Sequence, residues 1–380
     1  MKLALDGNHA AAYAMRQINP EVVAAYPITP VTYLMEAFSG YVANGEVQSE
    51  LILVESEHSA MSACVGAAAS GVRAMTASSS QGLALMHEVL YNASGLRLPI
   101  VMVVGNRALS APLSIHCDHS DSLAERDSGW IMFYAKDAQE IYDLTLQAFP
   151  IAENVKVRTP VMLCMDGLET THTVMPVELF KAEEFKALQN RTTLYSLLDA
   201  SKPVTYGAAV KPDYYFEHRR SQLQGLLEAP DVVQQVAKEF LKLSGRDYTK
   251  PYVLSGSGQA KYAVIMLGSF AGTFEEYLPE AKPEVDLIRL RQYRPFPTEE
   301  LKNLLENYQE VAVLDRTSPA GNTGGPLYAD ICTALTGSKV KLRNYIYGLG
   351  GRTILKEHVL QVAADFGKEV PVLQFLNLRE

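Results

Sequence analysis

Short apolar runs alternate with amphipathic stretches along the first part of the chain, up to about residue 170. The apolar runs have the length of strands, and the stretches between them repeat apolar residues at helical spacing. The run at 99–105, Pro-Ile-Val-Met-Val-Val-Gly, is typical of a parallel strand that is covered on both faces. Strands are predicted at 22–28, 51–56, 73–79, 99–105, 130–135 and 161–165, and helices at 31–41, 57–70, 83–93 and 139–148. This alternation predicts an α/β fold with a doubly wound parallel sheet.

A second α/β unit follows after an interruption. Residues 168–258 lose the alternation and contain several prolines, and two amphipathic helices are predicted there, at 217–227 and 232–243. Strands are then predicted at 262–267, 285–291, 311–315 and 340–347, and helices at 275–282, 299–307, 327–335 and 354–364. We therefore predict a first domain at 1–170, a connecting arm at 171–258, and a second, smaller α/β domain at 259–380.

The composition narrows the class of protein without identifying it. The chain has 380 residues, of which 48% are hydrophobic and 20% charged, which suits a globular protein of two or three domains. Its formal net charge is −9 without a basic block, so nucleic acid is not expected as a partner. No apolar run approaches the ~20 residues of a membrane helix, and the N-terminal apolar stretch is too short for a signal peptide. We therefore expect a cytoplasmic protein without a membrane partner.

The four cysteines form no recognisable cofactor or disulfide pattern. Cys64, Cys117, Cys164 and Cys332 lie far apart, and no two form a Cys-x-x-Cys pair. This spacing argues against an iron–sulfur cluster or a structural zinc held by this chain alone. The run at 116–119, His-Cys-Asp-His, contains metal-ligating residue types, but they are too close in sequence to wrap around one zinc ion. We predict no metal site in this chain.

Polar residues follow four of the predicted parallel strands, where ligands bind in open α/β sheets. Thr29 stands between two prolines after the first strand, and Glu57 opens the helix after the second. A Ser-Ser-Ser-Gln-Gly segment at 78–82 follows the third strand, and Arg107 follows the fourth. These junctions could converge on one crevice. Each also has an ordinary structural role: a glutamate favours the helix dipole, a serine caps a helix, and an arginine forms an ion pair.

Two nucleotide-binding patterns are absent from the sequence. No Gly-x-Gly-x-x-Gly follows an early strand, and no Gly-x-x-x-x-Gly-Lys-Ser/Thr loop occurs. Despite its α/β pattern, the chain is therefore expected to be neither a Rossmann dinucleotide enzyme nor a P-loop NTPase.

Eight segments, taken in order, carry a resemblance to a known family. They read Tyr-Pro-Ile-Thr-Pro at 26–30, Glu-Ser-Glu-His-Ser-Ala at 55–60, Thr-Ala-Ser-Ser-Ser-Gln-Gly-Leu at 76–83, Asn-Arg-Ala-Leu at 106–109, Asp-His-Ser-Asp-Ser at 118–122, Tyr-Arg-Pro-Phe at 293–296, Leu-Asp-Arg-Thr at 314–317 and Tyr-Gly-Leu-Gly-Gly at 347–351. Together they resemble the α subunit of the pyruvate (2-oxoacid):ferredoxin oxidoreductase family. The resemblance covers nearly the whole chain, and its strength lies in the ordered series rather than in any one segment.

The resemblance implies a thiamine-diphosphate enzyme. The first domain would bind the aminopyrimidine half of the cofactor, and the second would be a transketolase-C-like domain. Glu57 would be the catalytic carboxylate that faces the pyrimidine N1′, where sharing a proton favours the basic tautomer of the ring. Thr29 and Arg107, also catalytic, would hold the carbonyl and the carboxylate of the 2-oxoacid, since arginine binds carboxylates through two parallel hydrogen bonds. The other implied residues are Pro27, Ile28, Ser80 and Gln81 for the cofactor, and Asp118 and His119 for the substrate.

The same resemblance implies partner chains. The sequence contains no Gly-Asp-Gly motif, which in this family holds the diphosphate together with its metal ion. A β subunit would then hold the diphosphate and Mg²⁺, and γ and δ ferredoxin-like subunits or domains would hold the [4Fe-4S] clusters. Coenzyme A would accept the acyl group, and ferredoxin would accept the electrons. The Gly-Asn-Thr-Gly-Gly stretch at 321–325, after Arg316, could hold a phosphate of coenzyme A or form a tight turn, and we favour the turn.

The implied reaction is the oxidative decarboxylation of a 2-oxoacid to acyl-CoA and CO2, with pyruvate as the preferred substrate. A branched-chain 2-oxoacid member of the same family is an alternative. A non-catalytic scaffold paralogue is another, although the presence of Thr29, Glu57 and Arg107 together argues against it. The missing Gly-Asp-Gly motif argues against a self-sufficient thiamine enzyme.

Overall fold

The computed structural model describes residues 1–188, 191 and 195–379, which form a mixed α/β fold with two large sheets. The strands are β1 (Lys2–Leu5), β2 (Val22–Ala25), β3 (Glu50–Leu53), β4 (Ala74–Ser78), β5 (Val101–Asn106), β6 (Ile131–Ala135), β7 (Val161–Asp166), β8 (Met175–Glu178), β9 (Tyr252–Ser255), β10 (Tyr262–Met266), β11 (Val285–Leu290), β12 (Gln292–Arg294), β13 (Glu310–Asp315), β14 (Lys341–Ile346) and β15 (Leu373–Phe375). The first sheet has the order β12-β6-β7-β5-β4-β2-β3, and the second has the order β15-β14-β13-β10-β11-β9. Strands β1 and β8 form a separate antiparallel pair.

Helices cover both faces of the sheets. They are α1 (Gly7–Ile18), α2 (Thr32–Ala43), α3 (Glu57–Ala69), α4 (Ser80–Leu85), α5 (His87–Gly95), α6 (Ser120–Ala124), α7 (Ala138–Ala152), α8 (Ala182–Phe185), α9 (Pro212–Ser244), α10 (Ala271–Tyr277), α11 (Thr298–Leu305), α12 (Pro326–Ala334) and α13 (Lys356–Asp365). The side chain of Ser56 accepts a hydrogen bond from the backbone N–H of Ser59 and caps α3. Because such a cap fixes where a helix begins, it also fixes Glu57 in the first turn.

Alternate residues of the parallel strands in the first sheet enter two hydrophobic cores. Val23 and Ala25 of β2 face a core that includes α1, α2, α7 and α9, whereas Ala24 faces the other core with α3 and α5. The second core also contains Ile265 and Leu290 from the second sheet. The two sheets are therefore packed through a continuous core. The expected α/β fold with a parallel sheet is confirmed, because within the described parts of the two large sheets only the edge strands β12 and β9 run antiparallel to their neighbours.

Paired strands and ion pairs cross the boundaries of the domains and the arm that we predict. Strand β9 lies within the range of the predicted arm but pairs with β11 in the second sheet. Strand β12 follows β11 in the chain but pairs with β6 in the first sheet. Arg289 of β11 donates two hydrogen bonds, of 2.6 and 2.8 Å, to the carboxylate of Glu140 on α7. The boundaries at 1–170, 171–258 and 259–380 stay predictions.

The prediction of two helices in the arm is wrong. A single helix, α9, runs from Pro212 to Ser244 and passes through Pro230. A proline inside a helix removes one hydrogen bond and crowds the preceding turn. The helix nevertheless continues, because Ala229, Val236 and Phe240 enter the first hydrophobic core, and tertiary burial supplies most of the stability of a helix.

Smaller differences concern short elements. Helix α1 is not among the predicted elements, and the predicted helix at 83–93 is divided into α4 and α5. The second sheet has six strands, rather than the four that the sequence predicts. Across the described residues, none of the helices combines the length and the apolar character that crossing a membrane requires.

Candidate active site

Four polar junctions lie along one edge of the first sheet. Strands β5, β4, β2 and β3 are neighbours and run parallel, so their C-terminal ends lie side by side. Arg107 follows β5, Ser80 follows β4, Thr29 follows β2, and Glu57 follows β3. This is the edge where ligands bind in open α/β sheets. The structure therefore brings the four predicted junctions to one side of the molecule.

Glu57 is a buried carboxylate for which the described residues provide no hydrogen-bonding partner. It is 7% exposed and lies in the first turn of α3. A Cβ atom at Gly82 would lie 2.5 Å from Oε1 of Glu57 and 2.7 Å from Oγ of Ser78, so a glycine is needed for this close approach. The hydroxyl of Ser78 is buried and has no partner among the described residues. Because buried polar groups are normally hydrogen-bonded, this cluster has the donors and acceptors for a bound group.

Asp121 joins the junctions that follow β4 and β5. Its Oδ2 accepts hydrogen bonds from the backbone N–H groups of Ser80, at 2.9 Å, and Arg107, at 3.0 Å. Its Oδ1 accepts from Nδ2 of Asn106 at 2.8 Å and from the backbone N–H of Ser122 at 2.7 Å. Burial raises the pKa of Asp121 to about 6, although these hydrogen bonds act in the opposite direction. Four donors on one carboxylate fix the two junctions relative to each other.

Ser80 and Gln81 lie next to the Glu57 cluster. Ser80 has a φ of 47°, which is uncommon for a residue other than glycine. Its Oγ lies 2.7 Å from both the carbonyl oxygen of Ala108 and Oε1 of Gln81, so it can donate to either. Gln81 is half-buried and borders Gly82 in α4. The position of both residues is compatible with their predicted role at the cofactor, which stays a prediction.

Arg107 extends to the junction that follows β2. Its Nη1 donates a hydrogen bond of 3.1 Å to the carbonyl oxygen of Thr29, and its Nε donates one of 3.0 Å to the carbonyl oxygen of Ser114. A guanidinium carries five N–H donors, so these two bonds leave three donors, including both on Nη2. Thr29 is exposed. The structure thus brings Thr29 and Arg107 together, as the predicted substrate contact requires.

Asp118 and His119, which the resemblance assigns to the substrate, are engaged within the protein. Oδ1 of Asp118 accepts a hydrogen bond of 3.0 Å from the backbone N–H of Ser120. His119 is 1% exposed, and its Nε2 lies 2.8 Å from Oδ1 of Asp166. Asp166 also accepts a bond of 2.8 Å from Nη1 of Arg316. His119 is thus held in the interior by Asp166, and the role of both residues at the substrate stays a prediction.

The Asp166 carboxylate is the centre of an ion-pair network between the two sheets. Burial alone would raise the pKa of Asp166, but His119 and Arg316 outweigh it and hold that pKa well below its usual range. Cys117, His119 and Asp166 have possible ligand atoms within 4.8 Å of one another. However, Arg316 and the backbone N–H of Ser269 already bind the carboxylate, and burial raises the pKa of the Cys117 thiol well above its usual value. A thiol held neutral beside an arginine is a poor ligand for a cation.

The glycine-rich loop at 321–325 is organised by Asp315. The Asp315 carboxylate accepts hydrogen bonds of 2.8 and 3.1 Å from the backbone N–H groups of Leu327 and Tyr328, in the first turn of α12. A Cβ atom at Gly325 would lie 2.1 Å from Cγ of Asp315. A carboxylate therefore already occupies this helix N-terminus, and the glycine permits its approach. This arrangement supports the tight turn rather than a phosphate site.

Exposed apolar side chains surround the open edge. They are Tyr26, Tyr33, Leu53, Leu85, Leu113 and Ile115, of which Leu53 and Leu113 are each 74% exposed. A cavity of about 270 Å³ between α2 and β3 is lined in part by Pro27, Met35 and Leu51. Ile28 is half-buried and packs against the first core. Apolar surface that is grouped in this way marks an interaction site.

Two residues of the site have roles that the sequence analysis does not assign. Asp121 lies in the Asp-His-Ser-Asp-Ser segment, and Gly82 lies in the Ser-Gln-Gly segment. Both segments carry the resemblance. However, Asp121 binds the backbone N–H groups of Ser80 and Arg107, and Gly82 lies against Glu57, which follows another strand. Only the fold reveals these roles.

Comparison with known proteins identifies the family. The family described as "Pyruvate flavodoxin/ferredoxin oxidoreductase, thiamine diP-bdg" matches residues 13–238, and "Pyruvate:ferredoxin oxidoreductase core domain II" matches residues 260–359. A solved structure of 2-oxoglutarate:ferredoxin oxidoreductase from Magnetococcus marinus, with 2-oxoglutarate, coenzyme A and succinyl-CoA bound, is similar with a TM-score of 0.73 at 18% identity. The similarity covers 96% of this chain but 65% of that chain, and it supports the fold.

Relatives at higher identity span almost the entire chain. Pyruvate synthase subunit PorA of Thermotoga maritima is 47% identical over 372 residues, which are 96% of this chain and 94% of that one. PorA of Methanocaldococcus jannaschii is 47% identical over 92% of this chain and 91% of its own length. Ketoisovalerate oxidoreductase subunit VorA of Pyrococcus abyssi is 42% identical over 97% of this chain and 94% of its own length. The chain therefore belongs to the pyruvate flavodoxin/ferredoxin oxidoreductase family.

Proposed function

We propose that this chain is the α subunit of a thiamine-diphosphate-dependent 2-oxoacid:ferredoxin oxidoreductase. The enzyme would decarboxylate pyruvate oxidatively, transfer the acyl group to coenzyme A, and reduce ferredoxin. The observation that carries the proposal is the side chain of Glu57, which is 7% exposed and has no hydrogen-bonding partner within the described residues, at the edge where four junctions meet. Because the carboxylate oxygens of Glu57 have no partner within the described residues, they can accept a hydrogen bond from a bound heterocycle.

The residues around Glu57 fit the aminopyrimidine half of thiamine diphosphate. Glu57 provides a hydrogen-bond acceptor, and the hydroxyl of Ser78, which has no partner among the described residues, lies beside it at Gly82. Thiamine diphosphate, when bound, supplies a stabilised carbanion. Glu57 would hold a proton at the pyrimidine N1′. The residues that we propose to border the ring are Pro27, Ile28, Ser80 and Gln81.

Arg107 and Thr29 fit the 2-oxoacid. The three remaining N–H donors of Arg107 can bind a carboxylate in bidentate geometry, and the Thr29 hydroxyl can donate to the keto oxygen. We propose pyruvate because two relatives at 47% identity are named pyruvate synthase subunits. A branched-chain 2-oxoacid is the second candidate, because a ketoisovalerate oxidoreductase subunit is 42% identical over 97% of this chain.

Partner chains would complete the active site. The sequence has no Gly-Asp-Gly motif and no paired cysteines, so we assign the diphosphate and Mg²⁺ to a β subunit and the [4Fe-4S] clusters to γ and δ ferredoxin-like subunits. The β subunit would cover the exposed apolar side chains of the open edge, such as Leu53 and Leu113. We propose coenzyme A as the acyl acceptor, in line with the coenzyme A bound in the 2-oxoglutarate:ferredoxin oxidoreductase structure. The cytoplasmic location stays a prediction.

The requirement for partner chains is tested by reconstitution. The chain alone, its β partner alone and the complete complex are assayed for reduction of a viologen dye that depends on pyruvate and coenzyme A. We expect activity only from the complex, because the diphosphate site lies on the partner. Full activity from this chain alone would contradict the division of the site between chains.

The role of Glu57 is tested in the same complex. Glu57→Gln keeps the shape of the side chain but removes its charge, and we expect turnover to fall by about a hundredfold or more, the usual contribution of acid–base catalysis. Glu55→Gln is the matched control, because Glu55 lies in the same junction and is exposed. Near-normal turnover of Glu57→Gln would favour a scaffold function instead.

A further inference from the structure

Residues 114–119, here called the clamp segment, accept hydrogen bonds from Arg107 and from the residue after it. The carbonyl oxygen of Ser114 accepts the 3.0 Å hydrogen bond from Nε of Arg107. The carbonyl oxygen of His116 accepts a bond of 3.0 Å from the backbone N–H of Ala108, the residue after Arg107. The clamp segment therefore fixes both the guanidinium of Arg107 and the backbone beside it.

The clamp segment is held in turn by the second α/β unit. The backbone N–H of Gly351 donates a hydrogen bond of 2.7 Å to the carbonyl oxygen of Cys117, and the N–H of His119 donates one of 2.7 Å to the carbonyl oxygen of Arg316. Nε of Arg316 donates to the carbonyl oxygen of Gly348 at 3.2 Å. The loop at 348–351 and Arg316 are thus hydrogen-bonded to each other, and both bind the clamp segment.

Gly351 makes this support a close contact. Its φ is +80°, and a Cβ atom at this position would lie 2.5 Å from Cβ of His116. Glycine is therefore required both by the backbone conformation and by the neighbouring clamp segment. Any larger residue must displace the clamp segment or the loop.

We propose that the loop at 348–351 is a positioning element for the 2-oxoacid, which acts through the clamp segment on Arg107. The inference rests on the proposed function, because it requires Arg107 to bind the substrate carboxylate. A bidentate contact depends on accurate placement of the guanidinium. The second α/β unit would therefore control the affinity for the 2-oxoacid without touching it.

The proposal is tested in the assembled complex by comparing Gly351→Ala with Gly350→Ala. Gly350 also has a positive φ, of +56°, but a Cβ atom there would lie 3.5 Å from the nearest atom, Oγ of Ser114. Both alanines therefore incur backbone strain, but only the one at 351 overlaps with the clamp segment, because 3.5 Å is an ordinary van der Waals contact. We expect Gly351→Ala to raise the KM for pyruvate about tenfold with kcat within about twofold. Equal effects of both variants, or a loss confined to kcat, would overturn the proposal.

A double-mutant cycle separates this proposal from the proposed function. If Arg107→Ala leaves the KM for pyruvate unchanged, the proposed role of Arg107 is wrong, and the positioning proposal is overturned with it. If Arg107→Ala raises the KM but Gly351→Ala behaves like Gly350→Ala, only the positioning proposal is wrong. In the Arg107→Ala background, Gly351→Ala should change the KM by less than about twofold, because residues that act through one contact are not additive. A full tenfold effect there would show that Gly351 acts by another route.

A rescue variant covers the case in which Gly351→Ala does not assemble. His116→Gly removes the side chain that the new Cβ would meet. We expect the double variant to assemble and to have a KM within about twofold of that of His116→Gly alone. If the double variant does not assemble, or keeps a raised KM, overlap with His116 is not the cause and the proposal fails.

Discussion

Glu57 and Asp121 are both buried carboxylates, but their surroundings give them different roles. Glu57 has no hydrogen-bonding partner in the described part of the chain, so its oxygens are available to a ligand. Asp121 accepts four hydrogen bonds from neighbouring N–H groups, so its oxygens are used within the protein. Residue type alone does not distinguish the two, whereas the number of donors around each carboxylate does.

Asp121→Asn is predicted to damage both stability and activity. Each Asp121 oxygen accepts two N–H groups, so the new amide group would face two donors that it cannot accept. We expect a loss of about 2 kcal/mol in unfolding free energy, measured by urea denaturation. We also expect kcat/KM to fall by about tenfold or more, because small displacements of substrate-positioning groups are costly. Asp127→Asn, at an exposed position nearby, is the control, and equal behaviour of the two variants would contradict the role of Asp121.

Arg107→Ala is predicted to lower kcat/KM for pyruvate by about a hundredfold, because a charge-assisted bidentate contact contributes roughly 3 kcal/mol. Arg107→Lys should recover only part of this loss, since lysine lacks the planar pair of donors. The measurement is steady-state kinetics of the complex with varied pyruvate. Arg220→Ala, on the exposed part of α9, is the control. Unchanged kinetics of Arg107→Ala would remove this residue from the substrate site.

At the scale of elements, the buried parallel strands are predictable, and the short strands β1 and β8 are not. The runs at 99–105 and 161–165 correspond to β5 and β7, which are buried along their whole length, so their apolar pattern is local. Strands β1 and β8 contain four residues each and pair across more than 170 residues of chain. Their existence depends on a distant partner rather than on local periodicity, which is why the sequence does not reveal them.

The same reasoning applies to the candidate site. Glu57, Thr29 and Arg107 can be placed at one edge because each lies within four residues of the C-terminal end of a parallel strand. The engagement of His119 with Asp166 cannot be predicted in this way, because it depends on how Arg316 of the second unit packs against the first. Sequence position therefore predicts which strand end a residue occupies, but not whether its side chain faces the open edge or the interior.

Pro230→Ala is predicted to stabilise α9. The proline lies within a continuous helix and lacks the N–H that would bind the carbonyl four residues earlier. Alanine restores this donor, and we expect the unfolding free energy to rise by about 1 to 2 kcal/mol after allowing for the greater flexibility of the unfolded chain. Thermal unfolding of the chain measures the change, with Asp231→Ala as the exposed neighbour for comparison. A lower midpoint for Pro230→Ala would mean that the proline ring makes a stabilising contact.

At the scale of the whole molecule, buried charges join the two sheets. Arg316 binds Asp166 and Glu169 across the boundary, and Arg289 binds Glu140. Removing one partner of a buried pair is strongly destabilising, since the other charge is left uncompensated. The second α/β unit is thus fixed to the first by the residues that also support the clamp segment, so stability and substrate positioning share the same contacts.

Buried acids of the chain show pKa shifts in opposite directions. Burial raises the pKa values of Asp121 and Asp315 to about 6, and it outweighs the hydrogen bonds that they accept. Burial would also raise the pKa of Glu140, but Arg289 and Arg291 outweigh it and lower that pKa to about 2. An aspartate in the unfolded chain has a pKa of about 3.9. The folded chain therefore binds more protons than the unfolded chain between about pH 4 and 6, and fewer protons than the unfolded chain below about pH 4.

These shifts predict that the chain is most stable near pH 5 rather than at neutral pH. As the pH falls from 7 to 5, Asp121 and Asp315 take up protons only in the folded state, and each should add about 1 kcal/mol to the unfolding free energy. Below about pH 4 the stability should fall. Glu140 and Asp166 are protonated there in the unfolded chain, but their ion pairs keep them ionised in the folded chain. Thermal unfolding midpoints of the purified chain between pH 3 and 8 test this. Asp315→Asn should flatten the change between pH 5 and 7, and a midpoint that falls steadily from pH 7 to 5 would contradict the raised pKa values.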